Sequence, residues 1–546
     1  MRRSLLLFAL LALVGAPALA QELERTAEYR QSAAVLARYP DVPVALDAPG
    51  LKPGRTGFTS QAEMETWLQT LKARVPGLVL GSLGRSQQGR DIPYLVFTRE
   101  GLSDAAAIVA LGRPILWFIG LQHGNEPAGG EAMLALAGRL ADDALKPLLD
   151  KVSVVVVPRA NPDGAAAFTR ATASGADLNR DHLLLTLPES AALHAKLIAL
   201  PPDVVIDAHE FSVANRWLQK FGVIEASDAM FLYATHPMVD PAVTALAENL
   251  FRPALDAAWK GYGLTSFWYH TTSYRPDEKL VSMGGNAPGI ARNTFGLIGA
   301  VSFLIETRGV GIGMQGFQRR VATHVVAAEA VIAAAAADPR RLHDAIVAAR
   351  RASAAEHADL IVAHRLAVGP VNLPMLDPAT AADKPTQVEF KDSRAVTPTV
   401  TRPRPAGYLL TGATVAAWRN PFPLNAIGLC ALAAPASIDV EAFILKSPVK
   451  SGNRESINPD QAVEVEAVAK TLSVPAGALY VPMDQPAAGI VASSLEPDSP
   501  GSFVGTGVLA MPEGSREAAI YRVKAGAEKS LTLTPFLQST RSVCDR

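Results

Sequence analysis

The feature that constrains the fold most is a series of four short apolar runs, rich in β-branched residues, with helical patterns between them. The runs span residues 114–120, 152–157, 204–206 and 301–305. Strands that are buried on both faces of a parallel sheet have this near-continuous apolar character, and helices supply the crossovers between them. The sequence therefore predicts an α/β fold with a mixed, largely parallel sheet flanked by helices.

Changes in composition along the chain divide it into five predicted parts. Pro and Gly are frequent before the α/β pattern, and Pro, Thr and Asp are frequent after it, where apolar runs become rare. The last part is rich in Val, Thr, Gly and Pro in short segments separated by turn clusters, which is typical of β structure. The parts are a signal peptide (1–20), an N-terminal lead-in (21–58), a catalytic α/β domain (59–366), a linker (367–405) and a smaller β-rich C-terminal domain (406–546).

The first twenty residues have the three parts of a signal peptide. Arg2 and Arg3 precede an apolar run over residues 5–14, and a small-residue cleavage pattern ends at Ala20. The run is well short of the roughly 20 apolar residues that span a membrane, so no stable membrane anchor is expected. We therefore expect cleavage near Ala20 and a periplasmic or secreted protein.

Charge and cysteine content narrow the possible partners. The chain has 51 Lys and Arg against 52 Asp and Glu, so no broad basic surface is available for a nucleic acid. Its two cysteines, Cys430 and Cys544, exclude a Cys-rich zinc module, and any metal must be held by histidines and carboxylates. After export these cysteines either form a disulfide or remain buried thiols. The oligomeric state is left open.

The residues that can carry chemistry follow three of the four apolar runs. His123 and Glu126 come after the first run, His209 after the third, and Glu306 at the end of the fourth. Ligands of open α/β sheets gather at the carboxyl ends of the strands, so these side chains are expected at one edge. Two histidines and one carboxylate leave a further coordination position, as in catalytic zinc sites. Zinc lowers the pKa of a bound water to about 7 and polarises a carbonyl, and Glu306 is the natural group to move the proton.

Polar residues between the second and third runs offer contacts for a substrate. Asn179 and Arg180 together can hold a terminal carboxylate, because a guanidinium binds a carboxylate through two parallel hydrogen bonds. Arg170 can stabilise an oxyanion that forms when water adds to a carbonyl. Taken singly, each of the three is better explained as a structural or surface polar residue.

Together these motifs resemble the carboxypeptidase A-like zinc metallocarboxypeptidases, in the form of an exported bacterial member. The resemblance extends from about residue 59 to residue 309, and its specificity comes from several motifs in the right order. They are Gly84-Arg85-Ser86, Gly89-Arg90-Asp91-Ile92, His123-x-x-Glu126, Asn161-Pro162-Asp163-Gly164, Asp177-Leu178-Asn179-Arg180, Asp207-Ala208-His209 and Glu306.

The resemblance implies an eight-stranded mixed sheet flanked by helices and one zinc ion per chain. By resemblance, His123, Glu126 and His209 bind this zinc, and Glu306 is the general base and acid. Asp177 matches the acidic residue that orients a zinc-binding histidine. The implied reaction is hydrolysis of the C-terminal peptide bond by zinc-activated water.

The same resemblance implies roles at the substrate: Arg170 polarises the scissile carbonyl, while Asn179 and Arg180 anchor the C-terminal carboxylate. The implied substrate is a peptide, or a peptide-like molecule, with a free C-terminal carboxylate. The chain departs from the family because it lacks the tyrosine that usually lies shortly before the catalytic glutamate. Tyr269 and Tyr274, further upstream, either replace it or are packed or surface residues.

Two other questions stay open at the level of the sequence. Arg292 lies in the segment from which the family's specificity pocket usually draws, and it either favours an acidic substrate side chain or pairs with an internal carboxylate. The main alternative function is a zinc-dependent amidase or deacylase acting on cell-wall peptides or N-acyl amino acids. A non-catalytic binding protein on the same fold is the remaining alternative.

Overall fold

The structure is a computed structural model, and it describes residues 28–142, 145–355, 358–411, 427–446, 463–508, 514–536 and 544. The expected signal peptide, residues 1–20, lies outside the described residues.

Eight strands form a mixed sheet at the centre of the α/β part, in the order β1-β2-β4-β3-β5-β8-β6-β7. They are β1 (Val79–Arg85), β2 (Asp91–Phe97), β3 (Ile115–Gly120), β4 (Ser153–Val157), β5 (Val204–Ser212), β6 (Ala229–Tyr233), β7 (Ser266–Trp268) and β8 (Val301–Val310). The four apolar runs are the neighbours β4, β3, β5 and β8, and each pair in this series is parallel. The expectation of a mixed α/β sheet is confirmed.

Helices cover both faces of this sheet. Alternate side chains of β3 enter two different cores, with Phe118 in one and Trp117 in the other, as the alternation of a strand requires. The described helices, including one π-helical and four 3-10 segments, are Ala33–Arg38, Pro49–Leu51 (3-10), Gln61–Arg74, Ala105–Ala110, Pro127–Ala141, Lys146–Asp150 (3-10), Pro162–Ala167, Leu178–Arg180 (3-10), Pro188–Ala199, Arg216–Phe221, Pro241–Leu246, Ala247–Phe251 (π), Arg252–Gly261, Ala291–Leu297, Phe317–Ala337, Pro339–Ala355, Ala488–Leu495 and Ala527–Ser530 (3-10).

The helix Phe317–Ala337 is the one described helix that is long and apolar enough to cross a membrane. Of its most apolar window, 72% is buried inside the protein, and Val325, Val331 and Ile332 belong to the main core. The helix therefore packs on the core of the protein.

Residues 360–402 form a long antiparallel hairpin, where the composition predicts an irregular linker over residues 367–405. Its strands are β9 (Leu360–Leu373) and β10 (Thr386–Arg402), and the preceding helix ends at Ala355. Much of the hairpin is partly exposed on both faces, and β10 accordingly carries Thr, Pro and charged residues, whereas β9 begins with a short apolar run at residues 360–363. The local structure differs from the predicted linker, and the division into domains stays a prediction.

The hairpin also reaches the α/β part through two short strands. Strand β10 pairs with Val281–Ser282, which in turn pairs with Thr271–Thr272. A further short strand, Met375–Leu376, pairs with Ile224–Glu225. Strand β10 and the segment Met375–Leu376, which both follow residue 366, therefore hold loops of the α/β part by backbone hydrogen bonds.

The C-terminal part forms a seven-stranded antiparallel sheet in the order β14-β13-β16-β11-β15-β12-β17. Its strands are β11 (Gly407–Leu410), β12 (Cys430–Leu432), β13 (Ala436–Leu445), β14 (Val465–Val474), β15 (Leu479–Pro482), β16 (Glu517–Val523) and β17 (Leu533–Pro535). A disulfide joins Cys430 to Cys544. The helix Ala488–Leu495 carries Ile490 and Leu495 into the same core as Phe303 of β8, so this β-rich part packs directly on the α/β part.

Candidate metal centre and substrate cleft

His209 and Glu306 stand side by side because β5 and β8 are parallel neighbours. The two residues are register partners, so their side chains leave the sheet on the same face. Both lie inside their strands, which continue to Ser212 and Val310, beyond the ends of the apolar runs. A backbone ladder does not require apolar side chains, and so the strands continue through the polar residues of the site.

His123 and Glu126 come from the tight loop between β3 and the helix Pro127–Ala141. Glu126 is the residue that precedes the helix, and Pro127 occupies its first turn with a backbone angle already suited to a helix. The loop packs so closely that a Cβ on Gly124 would lie 1.8 Å from the carbonyl carbon of Gly164. Only glycine fits at this position, and its small size lets the loop pack directly against the backbone of Gly164.

The Asn161-Pro162-Asp163-Gly164 motif supports the loop that carries these ligands. Asn161 caps its own helix by accepting a hydrogen bond from the Gly164 N–H at 2.9 Å. Its side-chain amide also donates to the Gln122 carbonyl at 3.0 Å. The turn that the sequence predicts here therefore fixes the backbone directly before His123.

Three donor atoms of His123, Glu126 and His209 converge at one buried point and lie within 4.8 Å of one another. The two Glu126 oxygens are each 2.8 Å from a histidine Nδ1, one on His123 and one on His209. The two Nδ1 atoms are 3.0 Å apart. The structure thus brings together the three residues that the sequence predicts as metal ligands.

The outer ring nitrogen of each histidine faces a second carboxylate. His123 Nε2 lies 3.1 Å from Asp177 Oδ1, and His209 Nε2 lies 2.7 Å from Asp207 Oδ2. A carboxylate in this position holds the proton on Nε2 and leaves Nδ1 free to bind a metal. The Nδ1 atoms of two histidines, each oriented by a carboxylate at its Nε2, and the Glu126 carboxylate together fit a catalytic zinc ion.

Asp207 contacts a histidine of the centre, although the sequence motif that contains it predicts no role for it. A usable signal was present, because residues two apart in a strand point to the same face and Asp207 is two residues from His209. Asp207 is fully buried, and its Oδ1 has no hydrogen-bond partner among the residues that the structure describes.

The charges at the centre shift the pKa values of its carboxyl groups in opposite directions. Burial alone would raise the pKa of Glu126, but His123 and His209 hold it well below its usual value. The pKa of Glu306 is raised to about 8, first by burial and then by the negative charge of Glu126. The pKa of His209 is well above its ordinary value in spite of burial, because Asp207 and Glu126 favour its protonated form.

Arg170 lies at the rim of the centre and is held there by Asp177. Its Nη2 and Nε donate to Asp177 Oδ2 at 2.7 and 3.1 Å, and its Nη1 is 3.1 Å from His123 Nδ1. Burial would lower the pKa of this guanidinium, but Asp177 and Glu126 raise it, so it stays charged. Asp177 therefore contacts both a histidine of the centre and the cation beside it.

Asn179 and Arg180 are adjacent in the chain but differ in what they contact. Asn179 is buried; its amide nitrogen is 3.1 Å from His209 Nε2, and its oxygen accepts the Ala291 N–H at 2.8 Å. Arg180 is partly exposed and donates one hydrogen bond to the Asn179 carbonyl at 2.8 Å. Both ends of the Asn179 amide are engaged inside the protein, whereas the Arg180 guanidinium keeps exposed surface.

Tyr269 and Tyr274 both line a cavity that also contains Arg170 and Glu306. The pKa of Tyr269 is raised to about 12, first by burial and then by the charge of Glu306, so its hydroxyl keeps its proton. The ring of Tyr274 instead packs against the Arg216 guanidinium, 4.4 Å from the ring centre. Of the two tyrosines, the structure places Tyr269 within the electrostatic reach of Glu306.

The chain is similar to known proteins in sequence and in structure. Residues 64–194 match the family model described as zinc carboxypeptidase. The chain is 28% identical to carboxypeptidase 2 of Trichophyton rubrum over 490 residues, which cover 87% of this chain and 88% of that protein. It is 29% identical to carboxypeptidase E of Caenorhabditis elegans over 143 residues, which cover 23% of this chain and 29% of that protein. A solved metallo-carboxypeptidase from Burkholderia cenocepacia superposes on 50% of this chain and 69% of its own, with 20% identity and a TM-score of 0.38. Over residues 64–194 the chain thus matches the zinc carboxypeptidase model, and over most of its length it is similar to a fungal carboxypeptidase 2.

Proposed function

We propose that the chain is an exported metallocarboxypeptidase that removes the C-terminal residue of a peptide with one zinc ion per chain and Glu306 as general base. The observation that supports this most directly is the convergence of His123, Glu126 and His209 at one point. Glu306 lies beside this point, because it is the register partner of His209 on the neighbouring strand. His123, Glu126 and His209 would hold the zinc. When bound, zinc supplies a Lewis acid that polarises the scissile carbonyl and acidifies water.

Glu306 is placed to move a proton twice in this reaction. Glu306 is 7% exposed, and the pKa of its carboxyl group is raised to about 8, close to the pH at which a general base and acid work best. As a carboxylate it accepts the proton of the attacking water. As a carboxylic acid it returns that proton to the amine of the leaving residue, which cannot depart as an anion.

The cations at the rim fit two parts of a peptide substrate: the carbonyl oxygen that becomes negative during the reaction and the C-terminal carboxylate. Arg170, fixed by Asp177, can donate to the carbonyl oxygen as negative charge develops on it. Arg180 has exposed N–H groups for the C-terminal carboxylate, and Asn179 positions this segment against His209. The substrate is then a peptide or peptide-like molecule with a free C-terminal carboxylate.

Export is supported by two independent observations. The first twenty residues have the pattern of a signal peptide that is cleaved near Ala20. The Cys430–Cys544 disulfide suits an oxidising compartment such as the periplasm or the extracellular medium. We propose one of these two locations for the mature chain.

Incubation of the zinc-loaded mature chain with a mixed peptide library, read by mass spectrometry, is expected to show loss of single C-terminal residues. A chelator should stop the loss, because the reaction depends on the metal. Intact peptides, with one zinc per chain present, would refute carboxypeptidase action and favour an amidase or deacylase. A chain that binds no zinc would refute the metal assignment.

Tyr269→Phe is expected to lower kcat/KM for a peptide about 10-fold, the value of one hydrogen bond to a charged group. The reason is that the Tyr269 hydroxyl keeps its proton beside Glu306 and can donate to the bound substrate. Steady-state kinetics on a dipeptide series measures the effect. Tyr274→Phe keeps the ring on Arg216 and is expected to cause a smaller loss; the reverse order would exclude the role given to Tyr269.

A further inference from the structure

Arg292 is a buried cation without a carboxylate partner in the described part of the chain. Its side chain begins in the first turn of the helix Ala291–Leu297 and is 3% exposed. Its Nη2 donates to the Gly285 carbonyl at 2.6 Å, while its buried Nε has no hydrogen-bond partner. Of the two alternatives open from the sequence, pairing with an internal carboxylate is therefore not found among the described residues.

Arg292 belongs to the substrate cleft by position. A Cβ placed on Gly284 would lie 3.1 Å from the Tyr269 ring and 3.3 Å from Arg292 Nη2, so the two side chains flank the same point. The residue before Arg292 is tied to Asn179, because the Ala291 N–H donates to the Asn179 oxygen at 2.8 Å. Arg292 thus lies between the tyrosine that lines the cavity and the segment that carries Arg180.

Neither Arg180 nor Arg292 has a carboxylate oxygen closer than 4.0 Å in the described part of the chain. The carboxylate nearest to Arg180 is Asp177, at 4.0 Å, and Asp177 is already engaged by two nitrogens of Arg170. Burial is the largest effect and lowers the pKa of Arg292 to about 10; Arg180 adds to this effect and Tyr269, Asp207 and Glu306 oppose it, so Arg292 remains charged at neutral pH. A buried guanidinium that lacks an anion is costly unless a ligand supplies one.

We propose that Arg180 and Arg292 hold the two carboxylates of an acidic C-terminal residue, so that peptides ending in glutamate or aspartate are the preferred substrates. This proposal rests on the proposed carboxypeptidase function and names the substrate class of that site. A neutral C-terminal residue offers one carboxylate. The second guanidinium then loses its contact with water when the substrate binds, but it gains no anion in return. An acidic residue offers two, and each guanidinium can bind its carboxylate through parallel hydrogen bonds.

The test compares two peptides that differ only in a C-terminal glutamate or glutamine, with the zinc-loaded full-length mature chain. The two side chains have nearly the same shape, so the ratio of kcat/KM reports charge. We expect the glutamate peptide to be favoured at least about 10-fold, since a site that pairs a buried polar group rejects the analogue lacking that partner.

Arg292→Gln is expected to bring this ratio close to one, mainly through a higher KM for the glutamate peptide, and Arg292→Lys to restore part of the preference. Arg216→Gln is the matched control, because it removes a different cation that lines the cavity, one that donates to the Thr272 carbonyl. The ratio should be kept in that variant. A preference equally lost in both variants would show a general field of positive charge and overturn the pairing with Arg292.

Binding of the free products separates this proposal from the proposed function and needs no variant to fold. The wild-type chain is expected to bind glutamate more tightly than glutamine in isothermal titration. Equal cleavage of both peptides, or a preference for glutamine, would overturn the acidic preference and leave carboxypeptidase action standing. If neither peptide nor any library peptide is cleaved, the proposed function fails, and equal binding of the two amino acids would then overturn this inference as well.

Discussion

Glu306→Gln is expected to lower kcat for peptide hydrolysis by about 1000-fold or more while zinc binding stays intact. Glutamine fills the same space but cannot accept the proton of the attacking water, and a positioned general base contributes about 100- to 10,000-fold. Glu306 is outside the converging group of His123, Glu126 and His209, so the donor set for the metal is unchanged. The measurement is kcat and KM on one peptide together with the zinc content of the purified variant. KM should change little, because the lost interaction belongs to the transition state.

Glu306→Asp is the matched control for this prediction, because it keeps a carboxylate and withdraws it by one methylene group. We expect it to retain more activity than Glu306→Gln. Folding should be preserved in the glutamine variant, since burial and Glu126 already disfavour a negative charge at this position. A glutamine variant that turns over at the wild-type rate would remove Glu306 from the mechanism.

The arrangement of the central strands could be predicted from the sequence because each strand carries its own signal. Strands β3, β4, β5 and β8 are buried on both faces, and their apolar residues therefore occur in unbroken runs. The carboxyl ends of these runs indicate the edge of the sheet at which the structure brings His123, Glu126 and His209 together. The same signal fails where the site begins, since polar residues such as His209 and Glu306 end the apolar run while the strand continues.

The wall of the cleft that carries Tyr269 could not be predicted in the same way. Its position depends on a chain of pairings from β10 to Val281–Ser282 and on to Thr271–Thr272, all between segments distant in sequence. The strands of the hairpin are exposed along much of their length, so they lack the apolar alternation that marks a strand. Tyr269 therefore reaches the cavity through contacts between distant segments, which no local sequence pattern encodes.

Asp207→Asn is expected to weaken zinc binding by about 10- to 100-fold, the usual cost of losing a carboxylate behind a metal-binding histidine. Asp207 is fully buried, and its Oδ2 lies 2.7 Å from His209 Nε2, which keeps the proton on that nitrogen and Nδ1 free. An asparagine amide can donate to Nε2 instead, and the ring would then carry its proton on Nδ1, where the metal binds. Competition for zinc with a chelator of known affinity measures the loss.

Asp177→Asn provides the comparison, because Asp177 lies behind the other histidine and also holds Arg170. Both variants should lose zinc affinity, but only Asp177→Asn should also lower kcat at saturating zinc, since it releases the guanidinium beside the scissile carbonyl. Folding of the Asp207 variant is expected to be preserved, because Asp207 Oδ1 has no hydrogen-bond partner to lose. Unchanged zinc affinity in Asp207→Asn would mean that the orientation of His209 is set by the strand and by Asn179, which lies 3.1 Å from the same nitrogen, and not by the carboxylate.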